Sequence, residues 1–207
     1  MAKPTRFWDF IAKRYARTPV SDEESYQKKL QVTRDYFRPD MEVLEFGCGT
    51  GSTAIAHAPY VHHIRAIDFS AKMIAIAKDK ATATNVENVT FEQASIDDLT
   101  APDQTYDAIM GHSILHLLEN RQHVIAKVHK LLKPGGVFVS STICIGDGYR
   151  LLQALHPIGH FVGLLPVLKF FTEQELTRDL TGAGFEIDYQ WNPGEGRVVF
   201  IVAKRVG

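Results

Sequence analysis

Val43-Leu44-Glu45-Phe46-Gly47-Cys48-Gly49-Thr50-Gly51 is an apolar run that ends in three alternating glycines. It reads as a buried strand followed by a turn that lets a ligand touch backbone. Glycine has no Cβ to hold a ligand away, and it takes the positive φ that a tight strand-to-helix turn demands. The spacing is G-x-G-x-G, whereas the dinucleotide fingerprint is G-x-G-x-x-G, so Ser52 stands where that pattern wants its third glycine.

Outward from this stretch, strand and helix patterns alternate. Upstream, Phe7, Phe10, Ile11 and Tyr15 recur at helical spacing, and a second helical stretch runs from near Ser21 through Leu30, Arg34 and Phe37 to the break at Arg38-Pro39-Asp40. Downstream, the spacing predicts a short helix over Thr53 to Ala58 and a strand over Ile64 to Ile67. An alanine-rich helix over Lys72 to Ala83 and strands at Val89 to Glu92 and Tyr106 to Gly111 follow. A helix over Arg121 to Leu132 stops at Lys133-Pro134-Gly135-Gly136, and Val137 to Ile143 is a continuous run suited to a strand covered on both faces. This order argues for an α/β fold with a largely parallel sheet.

The tail differs. Thr172 and Glu175 form a capping box at the head of a helix that Gly182 and Gly184 close. Phe185 to Trp191 and Arg197 to Ala203 are then joined by Asn192 to Gly196, too short for a parallel crossover, so this pair should be an antiparallel hairpin.

At 207 residues and 45% hydrophobic, the chain suits one domain with a substantial core. Its 23 Lys plus Arg balance 24 Asp plus Glu, which argues against a dedicated nucleic-acid binder. Cys48 and Cys144 are the only cysteines, so neither a disulfide framework nor a C-x-x-C zinc site is expected, and a reducing cytoplasm fits. Met1 to Asp9 lacks the apolar core of a signal peptide. The apolar stretch Phe161 to Leu168 is short of the roughly 18 to 20 residues that cross a bilayer.

Several motifs together resemble those of the class I methyltransferases that use S-adenosylmethionine, over about residues 40 to 204. Glu45 to Gly51 resembles the family's E/D-x-G-x-G-x-G loop, and Ile67-Asp68-Phe69-Ser70 the acidic end of its second strand. Asp98-Leu99, Pro102-Asp103 and Tyr106-Asp107 resemble its D-L-x-x-P-D-x-x-(F/Y)-D segment, and Leu132 to Gly136 its L-K-P-G-G turn. The resemblance implies a three-layer αβα Rossmann-like fold, with a seven-stranded, mostly parallel sheet in the order 3-2-1-4-5-7-6 and strand 7 antiparallel. It implies S-adenosylmethionine as cofactor and a small-molecule acceptor.

It also assigns expected sites. Glu45, Gly47, Cys48, Gly49 and Gly51 would meet the methionine end of the cofactor, with His112 beside it, and Asp68 would hold the ribose hydroxyls. Phe69 would flank the adenine, while Met73 is open to two readings, adenine contact or core. The family commonly has an Asp at the position of Ser95, with Ile96 next; Ser95 is a weaker acceptor, and Asp97 is the alternative. The N/D-P-P-Y/F motif of amino-methylating nucleic-acid enzymes is absent after the fourth strand, where Gly111 to His116 stands instead. His116 is the candidate for the acceptor pocket and for proton transfer.

Two segments are free to cover the acceptor. One is residues 1–38, a helical lid with Tyr15 and Tyr26 facing the substrate. The other is the insert 146–171, whose leucines and valines exceed what one helix face needs. That excess leaves open an apolar acceptor, an oily partner surface, peripheral membrane contact, or burial in a monomer or homodimer. A nicotinamide oxidoreductase would want the longer glycine pattern. A non-catalytic S-adenosylmethionine-binding sensor or assembly protein is the second reading, separated from an enzyme by an acceptor cavity beside the cofactor.

Overall fold

The computed structural model describes residues 5–144, 168–192 and 198–207. Most of the expected insert (145–167) and of the hairpin joint (193–197) lies outside the described residues. Two helices, α1 (Thr5–Arg17) and α2 (Glu23–Arg34), precede β1 (Glu42–Phe46). The chain then runs α3 (Ser52–His57), β2 (His63–Asp68), α4 (Ala71–Ala83), β3 (Val89–Gln93), β4 (Tyr106–His112), α5 (Arg121–Leu131) and β5 (Leu132–Ile143). After the insert come α6 (Glu173–Gly182), β6 (Phe185–Trp191) and β7 (Val198–Arg205).

The seven strands form one sheet in the order β3-β2-β1-β4-β5-β7-β6. β1 to β5 pair in parallel, and β7 runs antiparallel to both β5 and β6. The expected fold class and the terminal antiparallel hairpin are both present.

Alternation along the central strands makes the three layers. Leu44 and Phe46 of β1, Ile109 of β4 and Phe138 of β5 join one apolar cluster with Val124, Ile125 and Val128 of α5 and Leu176 and Leu180 of α6. Their neighbours Val43, Ala108, Met110, Val137 and Val139 face the other way, toward Ala54 of α3 and Ile74, Ala77 and Ala81 of α4. Strands covered on both faces carry few polar residues, which is why they read as continuous apolar runs.

Local signals fix the element ends. Ser70 caps α4 by accepting from Met73 N–H (3.2 Å). Thr172 and Glu175 close the expected capping box, with Thr172 N–H donating to Glu175 Oε2 (2.7 Å) and Glu175 N–H to Thr172 Oγ1 (3.1 Å). One boundary differs from expectation: α5 ends at Leu131, and Leu132 already pairs with Tyr106. Pairing then shifts, so that Val137 faces Ala108, and Lys133 to Gly136 is taken up in the irregularity with Gly135 at φ +74°. Lys133 Nζ and Glu42 N–H both donate to Asp107 Oδ2, at 2.8 and 2.9 Å. The Tyr106-Asp107 and Leu132-to-Gly136 motifs thus tie together the starts of β1, β4 and β5, at the opposite end from the glycine turn.

Among the described residues no helix is long and apolar enough to cross a membrane.

In the glycine turn, Gly47, Gly49 and Gly51 all have positive φ, at +66°, +54° and +75°. A Cβ on Gly51 would lie 2.7 Å from Phe91 and 2.8 Å from Ala77, while one on Gly49 would meet nothing nearer than Tyr15 at 3.9 Å. Gly51 therefore supplies the close helix-to-sheet packing that the longer pattern assigns to a later glycine, and Ser52 is left exposed. Gly49→Ala should cost about 1 to 2 kcal/mol through backbone strain alone. Gly51→Ala should cost roughly 1 to 3 kcal/mol more from overpacking, read as a lower urea midpoint.

Candidate cofactor and acceptor site

The glycine turn, the end of β2 and the start of α4 are held together by one carboxylate. Asp68 Oδ2 accepts from Gly49 N–H (2.9 Å) and Oδ1 from Ser70 N–H (2.8 Å), and the side chain is buried. Burial pushes its carboxyl up, and the two amide donors pull it part of the way back. Helix α1 is fastened to the same place: Asp9 Oδ1 accepts from Ser70 Oγ (2.6 Å) and from Lys72 N–H (3.3 Å). Nothing in the sequence marked Asp9, because its partners come from a helix more than sixty residues away.

Two cavities open at this end of the sheet, and Gly47 lines both. The smaller, about 430 Å³, is bounded by Trp8, Phe46, Phe69, Ser95, Ile96 and Ile114, with Asp97 and Asp98 at its wall. Ser95 Oγ donates to Asp98 Oδ2 (2.8 Å) and accepts from Asp98 N–H (3.1 Å). A Cβ on Gly47 would come within 2.8 Å of Ile114, so glycine keeps the floor between the cavities low.

The larger cavity, about 560 Å³, is bounded by Tyr15 of α1, Tyr26, Lys29 and Thr33 of α2, Glu45, the Gly47-Cys48-Gly49 turn, His57, His112 and Ser141. Glu45 is 2% exposed, its Oε2 has no partner, and burial, with the Asp68 charge adding, pushes its carboxyl up to about 8. Burial holds His112 down to about 4, with the charge of Lys29 adding, and holds His57 down to about 3. Burial also raises the Cys48 thiol far above its ordinary value, which leaves it an unreactive lining group.

The expected site residues divide. Glu45, Gly47, Cys48, Gly49, His112, Tyr15 and Tyr26 gather around the larger cavity, and Phe69, Ser95 and Ile96 around the smaller. Asp68 and Gly51 line neither: Asp68 lies under the turn on the Gly49 and Ser70 amides, and Gly51 packs against Phe91 and Ala77. Met73 is 2% exposed and lines neither cavity. His116, expected in the acceptor pocket, also lines neither. It sits in a 3₁₀ turn (Leu115–Leu117) with 5% exposure, its carbonyl accepting from Lys169 N–H (2.8 Å), and burial holds its imidazole down to about 4. Lys29, Thr33, His57 and Ser141 were not expected. A polar stripe at helical spacing, Tyr26-Lys29-Thr33, was the available signal for the α2 pair. For His57 and Ser141 there was none.

A seven-stranded sheet in this order, with an alternating-glycine turn after β1 and an acid at the end of β2, defines a Rossmann-like fold of the S-adenosylmethionine-binding class. The chain belongs to the methyltransferase domain family, whose profile matches residues 37–180. It is 32% identical over 102 residues to an uncharacterized methyltransferase, YcgJ, of Bacillus subtilis, covering 49% of this chain and 40% of that protein. It is 35% identical over 118 residues to a malonyl-[acyl-carrier protein] O-methyltransferase of Bacillus cereus, covering 56% and 41%. These matches thus span about two-fifths of the length of either relative. The crystal structure of YcgJ superposes with a TM-score of 0.73 at 18% identity, covering 87% of this chain and 99% of that one, a likeness of fold. The cofactor of the family is S-adenosylmethionine.

The raised Glu45 carboxyl sets a pH dependence. Between the ordinary carboxyl range near 4.5 and about 8, the folded protein keeps a proton that the unfolded chain releases. Stability without cofactor therefore falls as pH rises through that window. Melting temperatures of the free protein from pH 5 to 8 should decline more steeply in the wild type than in Glu45→Gln, which keeps the shape and removes the titration.

Proposed function

We propose that the protein is an S-adenosylmethionine-dependent methyltransferase with a small-molecule acceptor. One observation carries this reading: two cavities share Gly47, one with aromatic and apolar walls suited to an adenine ring, the other with a buried, unpartnered carboxyl oxygen on Glu45. A nucleoside joined to an α-amino acid has those two ends. Glu45 supports the fit, because a buried carboxyl with an unpartnered oxygen would ionise beside a cation such as the cofactor's ammonium and accept from it.

In this reading Asp68 accepts from the ribose hydroxyls with the lone pairs that Gly49 and Ser70 leave free. Phe69 and Ile96 flank the adenine. Ser95, with its proton given to Asp98, keeps one lone pair for the adenine amine. Helices α1 and α2, within the described part of the expected 1–38 segment, act as a lid, with Trp8 of α1 over one end of the cleft, Tyr15 over the other, and Asp9 latched to α4.

Bound there, S-adenosylmethionine supplies a methyl group activated by its sulfonium. The chain's own contribution is alignment and exclusion of water. His57 and His112, held down to about 3 and about 4, are weak bases at neutral pH. The site therefore favours acceptors that attack without first losing a proton to the enzyme. A relative named for malonyl-[acyl-carrier protein] and the balanced charge of the chain support an acceptor other than nucleic acid.

Calorimetric titration with S-adenosylmethionine and with NADH tests the reading. The first should bind and the second should not; the reverse would refute it. Asp68→Ala should weaken S-adenosylmethionine binding by about 1 to 3 kcal/mol, the cost of lost hydrogen bonds to a charged acceptor. Unchanged affinity would remove Asp68 from the ribose.

A further inference from the structure

Beyond Glu45 and the glycine turn, the larger cavity is lined by further polar groups. Lys29 of α2 is half-buried and lines the cavity, and among the described residues its ammonium makes no hydrogen bond or ion pair. The acid that acts on it, Asp22, is engaged as the cap of α2, accepting from Ser25 N–H (3.0 Å). His57 lines the same space at 0% exposure with neither ring nitrogen partnered, and His112 Nε2 is likewise buried without a partner. The other lysine of the lining, Lys80, is already bonded to Thr50 and Ser52 hydroxyls at 2.9 and 3.0 Å.

Buried polar atoms without partners are uncommon in folded proteins, and several in one cavity point to a ligand that supplies the missing bonds. We propose that the Lys29–His57–His112 end of the cavity is a carboxylate subsite, and that the methyl acceptor is a small molecule carrying that carboxylate. This rests on the methyltransferase reading and names its acceptor class.

The charge count selects the anion. Lys29 is the lining cation without a hydrogen bond among the described residues, and Asp22 and Glu45 line the same cavity, so a single negative charge is accommodated there more readily than a phosphate dianion. Each neutral imidazole offers one N–H donor and no net charge. Both rings are kept neutral by burial, so they add hydrogen bonds without raising the positive charge. An uncharged or cationic acceptor would instead cover the Lys29 ammonium and leave only Asp22, already engaged as the cap of α2, to offset its charge.

The test uses protein loaded with S-adenosylhomocysteine and titrated calorimetrically with benzoate and with benzamide, the same shape without the charge. Benzoate should bind at least tenfold more tightly than benzamide. Lys29→Met should abolish that preference, while Lys29→Arg should keep it. In both variants the affinities for S-adenosylhomocysteine and for methylthioadenosine, which lacks the amino-acid end, should stay within twofold of wild type. Equal binding of benzoate and benzamide, absence of benzoate binding, or an undiminished preference in Lys29→Met would overturn the proposal. If Lys29→Met weakens S-adenosylhomocysteine tenfold and leaves methylthioadenosine unchanged, the carboxylate that Lys29 takes is the cofactor's, and the acceptor assignment falls. Failure of the wild type to bind S-adenosylhomocysteine would instead refute the methyltransferase reading itself.

Discussion

The site depends on one buried carboxylate with two backbone amides pointed at it. Asp68 joins the glycine turn after β1 to the first residues of α4, and both halves of the cleft are built on those two segments. The arrangement needs a charge where charge is costly. Burial opposes ionisation of Asp68, and the Gly49 and Ser70 amides favour it, so the turn and the acid hold each other in place. Positive φ at Gly47, Gly49 and Gly51 turns the chain tightly enough to aim the Gly49 amide at that oxygen. Side chains at Gly47 and Gly51 would also collide with Ile114, Phe91 and Ala77.

Around this centre, the molecule separates stability from ligand chemistry along the strands. At the starts of β1, β4 and β5, Lys133 and the Glu42 amide converge on Asp107, and the motif residues there act on the fold alone. At the other strand ends the polar groups are left open: Glu45 Oε2, both nitrogens of His57 and Nε2 of His112 are buried without partners. A protein selected for stability alone would pair or remove such groups, since each unmade bond costs free energy. Glu45, His57 and His112 line one cavity, although other buried side-chain atoms without partners among the described residues, such as His129 Nε2 and Arg205 Nε, lie at the opposite end of the sheet.

Helix α1 adds a third element. Its tether through Asp9 to the head of α4, with Ala12 buried, places Trp8 and Tyr15 on the two cavities, so the helix crosses the cleft and meets both ends of it. Phe10, on the same helix, is 86% exposed, and the side of α1 away from the cleft is therefore not held by the core.

The sequence by itself determined the order of elements, the glycine turn, the acid at the end of β2, the capping box at Thr172 and the antiparallel final pair. Each of these rests on residues close together in the chain: apolar period, turn chemistry and loop length act locally. The strand order came from the resemblance, because periodicity does not say which strand lies beside which. Only the tertiary structure decided the rest. It turned Met73 and His116 inward, since which face of a helix or turn meets the core depends on elements far away. It brought Lys29, His57 and His112 to one cavity from α2, α3 and β4, three elements whose sequences carry no shared spacing. Those three groups differ from an ordinary surface lysine and two core histidines only in their surroundings, and surroundings are a property of the folded chain.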